Sequence, residues 1–255
     1  MSFSYYGELC TEVYDITKPV GHSFGEEIPY YIERLKSCKG PILEAMVGSG
    51  RFLIPLLEAG YHVEGVDYSA DMLLSCRERC LERGLAPLLY EADIKELSMT
   101  QRYEAILIPA GSFQLIEERN EAMEVLKRLY EHLEPGGRLI LDLFLPEAQF
   151  KKIGMVVANS TFSLPDGDTI TMEEKLIEAD LFQQSIVSYL RYEKWRNGNL
   201  MQTELQRFAI RWYGVEEFKL ILQSIGFTDV VVSADYQYGT MPKSHDQTFT
   251  FEAVK

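Results

Sequence analysis

The chain has no run of about 18 consecutive apolar residues, which excludes a membrane-crossing helix. Its first residues, Met1-Ser2-Phe3-Ser4-Tyr5-Tyr6, lack the basic start and apolar core of an export signal, so a cytoplasmic location is expected. Cysteine is scarce: four residues, at 10, 38, 76 and 80, form no C-x-x-C pair. Cys76 and Cys80 share one helix face, but a structural metal site typically needs about four ligands. The four histidines, 22, 62, 132 and 245, are scattered with no H-x-x-x-H spacing. No metal site is expected, and the thiols are read as buried and free. Basic residues are also few, 25 against 39 acidic, for a net charge of -14. A chain that binds nucleic acid carries a basic stripe for phosphates. Here the densest basic spots, Arg77-Glu78-Arg79 and Lys151-Lys152, are short and read as solvated faces. A small molecule is therefore expected over a nucleic-acid partner, with the acidity suiting a cationic or amine-bearing one. There are no internal repeats and no low-complexity segments.

What is present begins with Ile42-Leu43-Glu44-Ala45-Met46-Val47-Gly48-Ser49-Gly50-Arg51, followed by Gly65-Val66-Asp67-Tyr68-Ser69. The apolar stretch Pro41 to Val47 suits a parallel strand buried on both faces, and the glycines allow a tight turn into a helix carrying Phe52, Leu53, Leu56 and Leu57. Each strand carries an acid, and the pair reads as a nucleoside site. The third glycine of a G-x-G-x-x-G dinucleotide loop would fall at Leu53 and is absent. Asp67, 19 residues beyond Gly48, has the spacing of an acid that holds ribose hydroxyls, in either kind of ligand. Glu44 separates them. Its carboxylate would repel a pyrophosphate, at several kcal/mol on the order of the Coulomb energy at intermediate dielectric, but attract an ammonium and a sulfonium. S-adenosylmethionine fits this loop better than a dinucleotide.

Further motifs follow in order. Ser69 reads as the N-cap of a helix reaching about Arg83, with Met72, Leu73, Cys76, Cys80 and Leu81 on its buried side. A short strand, Pro87 to Glu91, runs into Ala92-Asp93-Ile94, an acid just past a strand's carboxyl end, where open doubly wound sheets bind ligands. Strand Glu104 to Pro109 leads into Ala110-Gly111-Ser112-Phe113. A helix from about Glu118 to Leu133 closes on Pro135-Gly136-Gly137, and the sheet resumes at Arg138 to Phe144.

From about Pro41 to Phe144, and again at Ser224-Ile225-Gly226-Phe227, the chain resembles the class I S-adenosylmethionine-dependent methyltransferases. The resemblance implies an α/β fold: a doubly wound, Rossmann-like sheet, mostly parallel with an antiparallel last strand. It implies that Glu44, Gly48 and Gly50 meet the methionine part of the cofactor and that Asp67 holds the ribose. Tyr68, Met72, Asp93 and Ile94 would surround the adenine. Pro109, Ala110, Ser112 and Phe113 would line the space between cofactor and acceptor, with Tyr213 a further acceptor-side candidate. Met46 stands where the family usually has its first loop glycine. A strand-end residue with ordinary dihedrals tolerates a side chain, so binding is expected to survive while the pocket tightens.

Outside residues 41–145 and 213–255, which form the expected core, two segments are expected to govern the acceptor. Residues 1–40 are rich in tyrosine and read as two short helices with a connection. From them Tyr14 is the preferred active-site residue, although packing of these tyrosines onto the sheet is an equal alternative. Residues 146–212 switch to alternating patterns broken by Pro165-Asp166-Gly167-Asp168 and Arg196-Asn197-Gly198-Asn199. They read as an inserted antiparallel sheet of three to five strands, with a type I′ turn at Asn-Gly. By resemblance this sheet caps the acceptor or forms the subunit contact of a homodimer. Val215 to Ile225 reads as a helix, and Thr228 to Ala234 with Thr248 to Val254 as a closing hairpin. At 46% hydrophobic, 255 residues can bury roughly three-quarters of their unfolded surface, enough for one large domain with an insertion.

Methyl transfer from a sulfonium asks mainly for positioning, which can remove roughly 7 to 11 kcal/mol of barrier. A general base matters only if the acceptor starts protonated. Tyr14, His22, Tyr213 and His245 are the candidates, in that order. The leading expectation is N- or O-methylation of a small molecule. Two alternatives stand beside it, a non-catalytic S-adenosylmethionine-binding regulator and a nicotinamide-dependent oxidoreductase.

Overall fold

The computed structural model describes residues 3–146 and 152–255. Lys151 of the Lys151-Lys152 pair, and the junction at 147–151 within the expected insertion, lie outside the described residues. Two helices open the chain, α1 (Glu8–Thr17) and α2 (Glu27–Leu35). The alternating part follows as β1 (Ile42–Ala45), α3 (Leu53–Glu58), β2 (Val63–Asp67), α4 (Ala70–Leu81), β3 (Leu89–Glu91), β4 (Tyr103–Ile108), α5 (Arg119–His132) and β5 (Leu133–Leu143). Strands β6 (Val156–Ser163), β7 (Thr169–Asp180), β8 (Ser185–Arg196) and β9 (Asn199–Arg211) are inserted before α6 (Val215–Ile225), β10 (Thr228–Ala234) and β11 (Phe249–Val254).

The main sheet has seven strands in the order β10-β11-β5-β4-β1-β2-β3. Strands β1 to β5 run parallel, whereas β11 lies antiparallel between β5 and β10. Residue alternation assigns the two faces. Ile42, Ala105, Leu107 and Ile140 pack with Leu35, Leu53, Leu73 and Cys76, while Leu43, Ile106, Leu139 and Leu141 pack with Leu126, Leu129, Phe218 and Leu222. Burial on both faces explains the continuous apolar runs of these strands. Pro135-Gly136-Gly137 falls inside β5, where the pairing with β4 shifts register between Tyr103 and Ala105, so the expected turn is an irregularity of the strand.

The insertion is a four-stranded antiparallel sheet in the order β6-β7-β8-β9. Asn197 and Gly198 both have positive φ, 49° and 78°, as a type I′ hairpin turn requires. Helix α1 joins this sheet to the core: Leu9 and Val13 pack with Met72 of α4 and with Ile170, Leu190 and Tyr192. The α1 amino terminus has no cap from its own sequence. Glu204 of β9 supplies one, its carboxylate accepting from the backbone N–H of Leu9 (2.9 Å) and Cys10 (3.3 Å). Buried Gln114 adds a second tie, donating to the carbonyls of Phe144 (2.9 Å) and Arg211 (3.1 Å) and accepting from the Phe144 N–H (2.8 Å). Among the described residues no helix is long and apolar enough to cross a membrane.

Asp142, at the carboxyl end of β5, is fully buried. It accepts from the hydroxyls of Tyr31 (3.0 Å) and Thr250 (2.8 Å) and from the Ala110 N–H (3.0 Å). Burial, and then the charge of Glu27, push its pKa up to about 7 against those bonds. Between about pH 4, where an unfolded aspartate titrates, and about pH 7 the native chain holds a proton that the unfolded chain has lost. This group therefore makes stability fall as pH rises through that window. Asp142→Asn is expected to flatten that part of a urea-denaturation pH profile, and an unchanged slope would refute the assignment.

Candidate functional site

The carboxyl ends of β1 and β2 open into a cavity of about 440 Å³. The cavity is built around Asp67. One Asp67 oxygen accepts from the Gly48 N–H (2.7 Å) and the other from the Ser69 N–H (2.9 Å), so the acid fixes both the glycine turn and the start of α4. Burial raises its pKa and these backbone donors oppose the rise. Ser69 caps α4 by accepting from the Met72 N–H and donates to the Tyr6 carbonyl at 2.7 Å. The turn has φ values of +56° at Gly48 and +79° at Gly50. A Cβ on Gly50 would stand 2.7 Å from the Cys76 sulfur, so a side chain is excluded there by space as well as by backbone.

Met46 departs from expectation. Its φ is +61°, in the left-handed region, not the ordinary extended conformation of a strand end. An unbranched side chain there stores roughly 1 to 3 kcal/mol, which packing of Met46 against the core offsets in part. Met46→Gly is expected to change stability by less than about 1 kcal/mol, since relief of strain and loss of packing oppose each other. Met46→Val should cost about 2 kcal/mol, because a β-branched residue is a genuine outlier at this φ. Urea midpoints of the two variants would decide it.

Two residues before Met46, Glu44 is only 2% exposed, and one carboxylate oxygen, Oε2, has no hydrogen-bond partner. Burial pushes its pKa well up, Arg51 opposes this, and Glu27 and Asp67 add to it. Past β3, Asp93 caps a short turn, Ile94–Glu96, by accepting from the Lys95 N–H (2.9 Å), and Ala92, Asp93 and Ile94 all line the cavity.

Of the residues singled out in sequence, Tyr14, Gly48, Asp67, Tyr68, Met72, Asp93, Ile94 and Ser112 line the cavity. Gly50, Glu44 and Pro109 lie outside its lining. Phe113 and Tyr213 are corrected: both are buried in the core, where their rings lie 6.0 Å apart and each packs against Phe218. The left-handed pair Ala110 and Gly111 turns the chain so that Ser112 faces the cavity and Phe113 the core. His22 meets Arg51 through its backbone carbonyl, and exposed His245 lies away from the cavity.

Other lining residues come from segments whose approach is nonlocal. Tyr5 and Tyr6 reach the cavity because Ser4 pairs with Gln206 along β9, and Tyr5 meets Tyr68 edge-on at 5.7 Å. Gln206, Arg207, Phe208 and Ala209 of β9 close another side, with Glu117, Glu118 and Glu121 at the start of α5. The aromatic run at residues 5 and 6 was the available signal; nothing local marked β9. Arg207 forms a two-pronged ion pair with Glu117, and Lys95 lies 3.5 Å from Asp93 and 3.3 Å from Glu121. The lining thus holds five carboxylates and two cations, both already paired.

Comparison with known proteins agrees with this geometry. Residues 42–137, from β1 into β5, match the family described as "Methyltransferase domain". YqeM of Bacillus subtilis (strain 168), which carries a methyltransferase name, is 27% identical over 245 residues, 95% of this chain and 94% of that protein. Residues 42–137 form a methyltransferase domain of the class I, S-adenosylmethionine-dependent type. This methyltransferase is also 25% identical to the cypemycin N-terminal methyltransferase of a Streptomyces species over 234 residues, 91% of each chain. Its fold matches the sugar N-methyltransferase KedS8 of a Streptoalloteichus species with a TM-score of 0.72 at 19% identity, covering 100% of this chain and 97% of that one. The chain is an enzyme whose cofactor is S-adenosylmethionine.

Proposed function

We propose that the enzyme methylates the nitrogen of a small amine. The acidic, tyrosine-lined cavity carries this reading, since five carboxylates against two paired cations favour an acceptor that arrives as an ammonium. Relatives named as N-methyltransferases support it, among them the cypemycin enzyme and a dTDP-amino-sugar N,N-dimethyltransferase of Streptomyces fradiae.

The residues present fit the cofactor. Glu44 stands behind the cavity lining, and its buried, unpartnered oxygen is an acceptor that an ammonium brought against the glycine loop would satisfy. Each Asp67 oxygen accepts one backbone bond and has capacity for a ribose hydroxyl. Gly48 and Gly50 add no side chain to the loop, and Tyr68, Met72, Asp93 and Ile94 would flank the adenine. S-adenosylmethionine supplies a methyl group already activated by its sulfonium. The protein would hold the amine in line with the methyl group after the ammonium has given a proton to solvent, so that the freed lone pair forms the C–N bond as the C–S bond breaks and S-adenosylhomocysteine leaves. Burial raises the Tyr14 pKa, so its phenol is protonated near neutrality and positions the acceptor instead of taking the proton. We assign residues 41–145 and 213–255 to the cofactor core, and 1–40 and 146–212 to the acceptor cap.

The test is release of S-adenosylhomocysteine with a matched set, benzylamine, benzyl alcohol and benzyl mercaptan, beside calorimetric binding of the cofactor. Turnover of the amine is expected. Turnover of the alcohol or thiol instead, with cofactor binding intact, would overturn the amine assignment.

A further inference from the structure

A second cavity, of about 230 Å³, lies between the exit of β5 and the inserted sheet. Its walls are Phe144 and Leu145 on one side and Ile186 and Ile210 on the other, with Glu174 its one carboxylate among the described residues. Among the described residues Phe208 alone lines both cavities. The walls are held apart by construction. Gln114 grips Phe144 through both backbone groups and Arg211 through its carbonyl, and the same short turn, Ser112–Leu115, sends Ser112 and Leu115 into the first cavity. One turn therefore fixes the distance between the two spaces.

Size and lining limit what the second space can hold. Pockets for whole drug-sized ligands start at roughly 300 Å³. An apolar cavity of about 150 Å³ already takes a benzene ring. This space fits a ring-sized group and no more. Glu174 has no ionic partner among the described residues, so an anionic group is disfavoured there. The cations of the first cavity are engaged by Glu117, Asp93 and Glu121, so among the described residues neither space offers a free positive charge to a carboxylate acceptor.

We propose that this second cavity is an acceptor subsite for a ring-sized, mainly apolar body, neutral or cationic, joined to the amine that reaches past Phe208 to the donor. The inference rests on the amine reading and sharpens it: the acceptor is a ring-bearing amine and not an amino acid such as glycine.

Three probes separate the cases: cyclohexylmethylamine, methylamine and glycine, compared by kcat/KM for S-adenosylhomocysteine release. Cyclohexylmethylamine is expected to exceed the other two at least about tenfold, the discrimination that one or two buried methylene groups give. Ile186→Trp, which fills the second cavity, should bring the ratio to methylamine near one while calorimetric affinity for S-adenosylhomocysteine stays within about twofold. Phe208→Ala, which widens the passage between the cavities, should shift preference towards 1-naphthylmethylamine. A direct binding arm is saturation transfer from the S-adenosylhomocysteine complex to the cyclohexyl protons, expected for the unmodified enzyme and lost in Ile186→Trp. Preference for glycine, or a ring preference and saturation transfer that survive Ile186→Trp, would overturn the subsite. Saturation transfer without turnover of any amine would instead count against the amine reading and leave the subsite standing.

Discussion

Glu27→Ala is expected to destabilise the protein by about 3 to 5 kcal/mol, the cost of leaving one partner of a buried ion pair alone. Glu27 is fully buried and Arg51 is 3% exposed. The guanidinium donates twice to the carboxylate, at 2.5 and 2.9 Å, and once to the His22 carbonyl at 2.5 Å, with the Phe24 ring 4.9 Å away. Burial pulls the Arg51 pKa down, but the bonds and charge of Glu27 outweigh it and the net shift is upward. Arg51 therefore cannot escape by losing its proton. The pair joins α2 to the residue just after Gly50, so the loss is also a loss of registry between the N-terminal cap and the glycine loop. Glu44 is an acid placed to compensate, since its pKa already responds to Arg51. If Arg51 turns to it, part of the stability returns but the free oxygen of Glu44 is consumed. Cofactor affinity should then fall with stability. The control is Glu27→Leu with Arg51→Met, which removes both charges and should be milder than Glu27→Ala alone. Urea denaturation reads the first effect and calorimetry the second. A single-variant loss below about 1 kcal/mol would show that the pair is not closed in solution.

The contrast between what the sequence made legible and what it hid follows the range of the interactions. Helix Val215–Ile225 and strand Thr228–Ala234 appear at the expected bounds, because a 3.6-residue apolar period ending at Gly226 and an alternating run are local signals. Asn197-Gly198 was equally local. Asp67 and Asp93 were readable because position at a strand's carboxyl end, not tertiary packing, puts them in the cavity. Phe113 and Tyr213 were not. A large aromatic beside a motif serves core and cleft equally well, and only the paired left-handed residues at 110 and 111 decide which way Phe113 turns. The backbone of Met46 was hidden for a related reason. A methionine gives no sign of positive φ, so the strained turn had to be seen. The β9 wall depends on a strand inserted more than 50 residues after β5, paired with a tail at residue 4, and no periodicity reports such a contact.

Asp67→Ala is expected to weaken cofactor binding by about 100- to 1,000-fold, while Asp67→Asn loses less. The size follows from two roles of one carboxylate. As the proposed acceptor for ribose hydroxyls it would form charge-assisted bonds, worth roughly 1.5 to 3 kcal/mol each. As a scaffold it holds the Gly48 and Ser69 N–H groups, and alanine leaves both donors without a partner in a poorly solvated place. Loss of even one ribose bond and partial loosening of the loop amounts to about 3 to 4 kcal/mol, which converts to the stated range at 1.4 kcal/mol per tenfold. Asparagine keeps one acceptor oxygen and changes the other to a donor, which clashes with one of the two backbone N–H groups. It should preserve half the scaffold and sit between alanine and the native residue. Calorimetry with S-adenosylhomocysteine measures the affinities, and thermal unfolding without ligand measures the scaffold alone. If Asp67→Ala lost affinity in proportion to its loss of stability, and Asp67→Asn lost neither, the carboxylate would be a brace for the glycine turn and not a contact for the ribose.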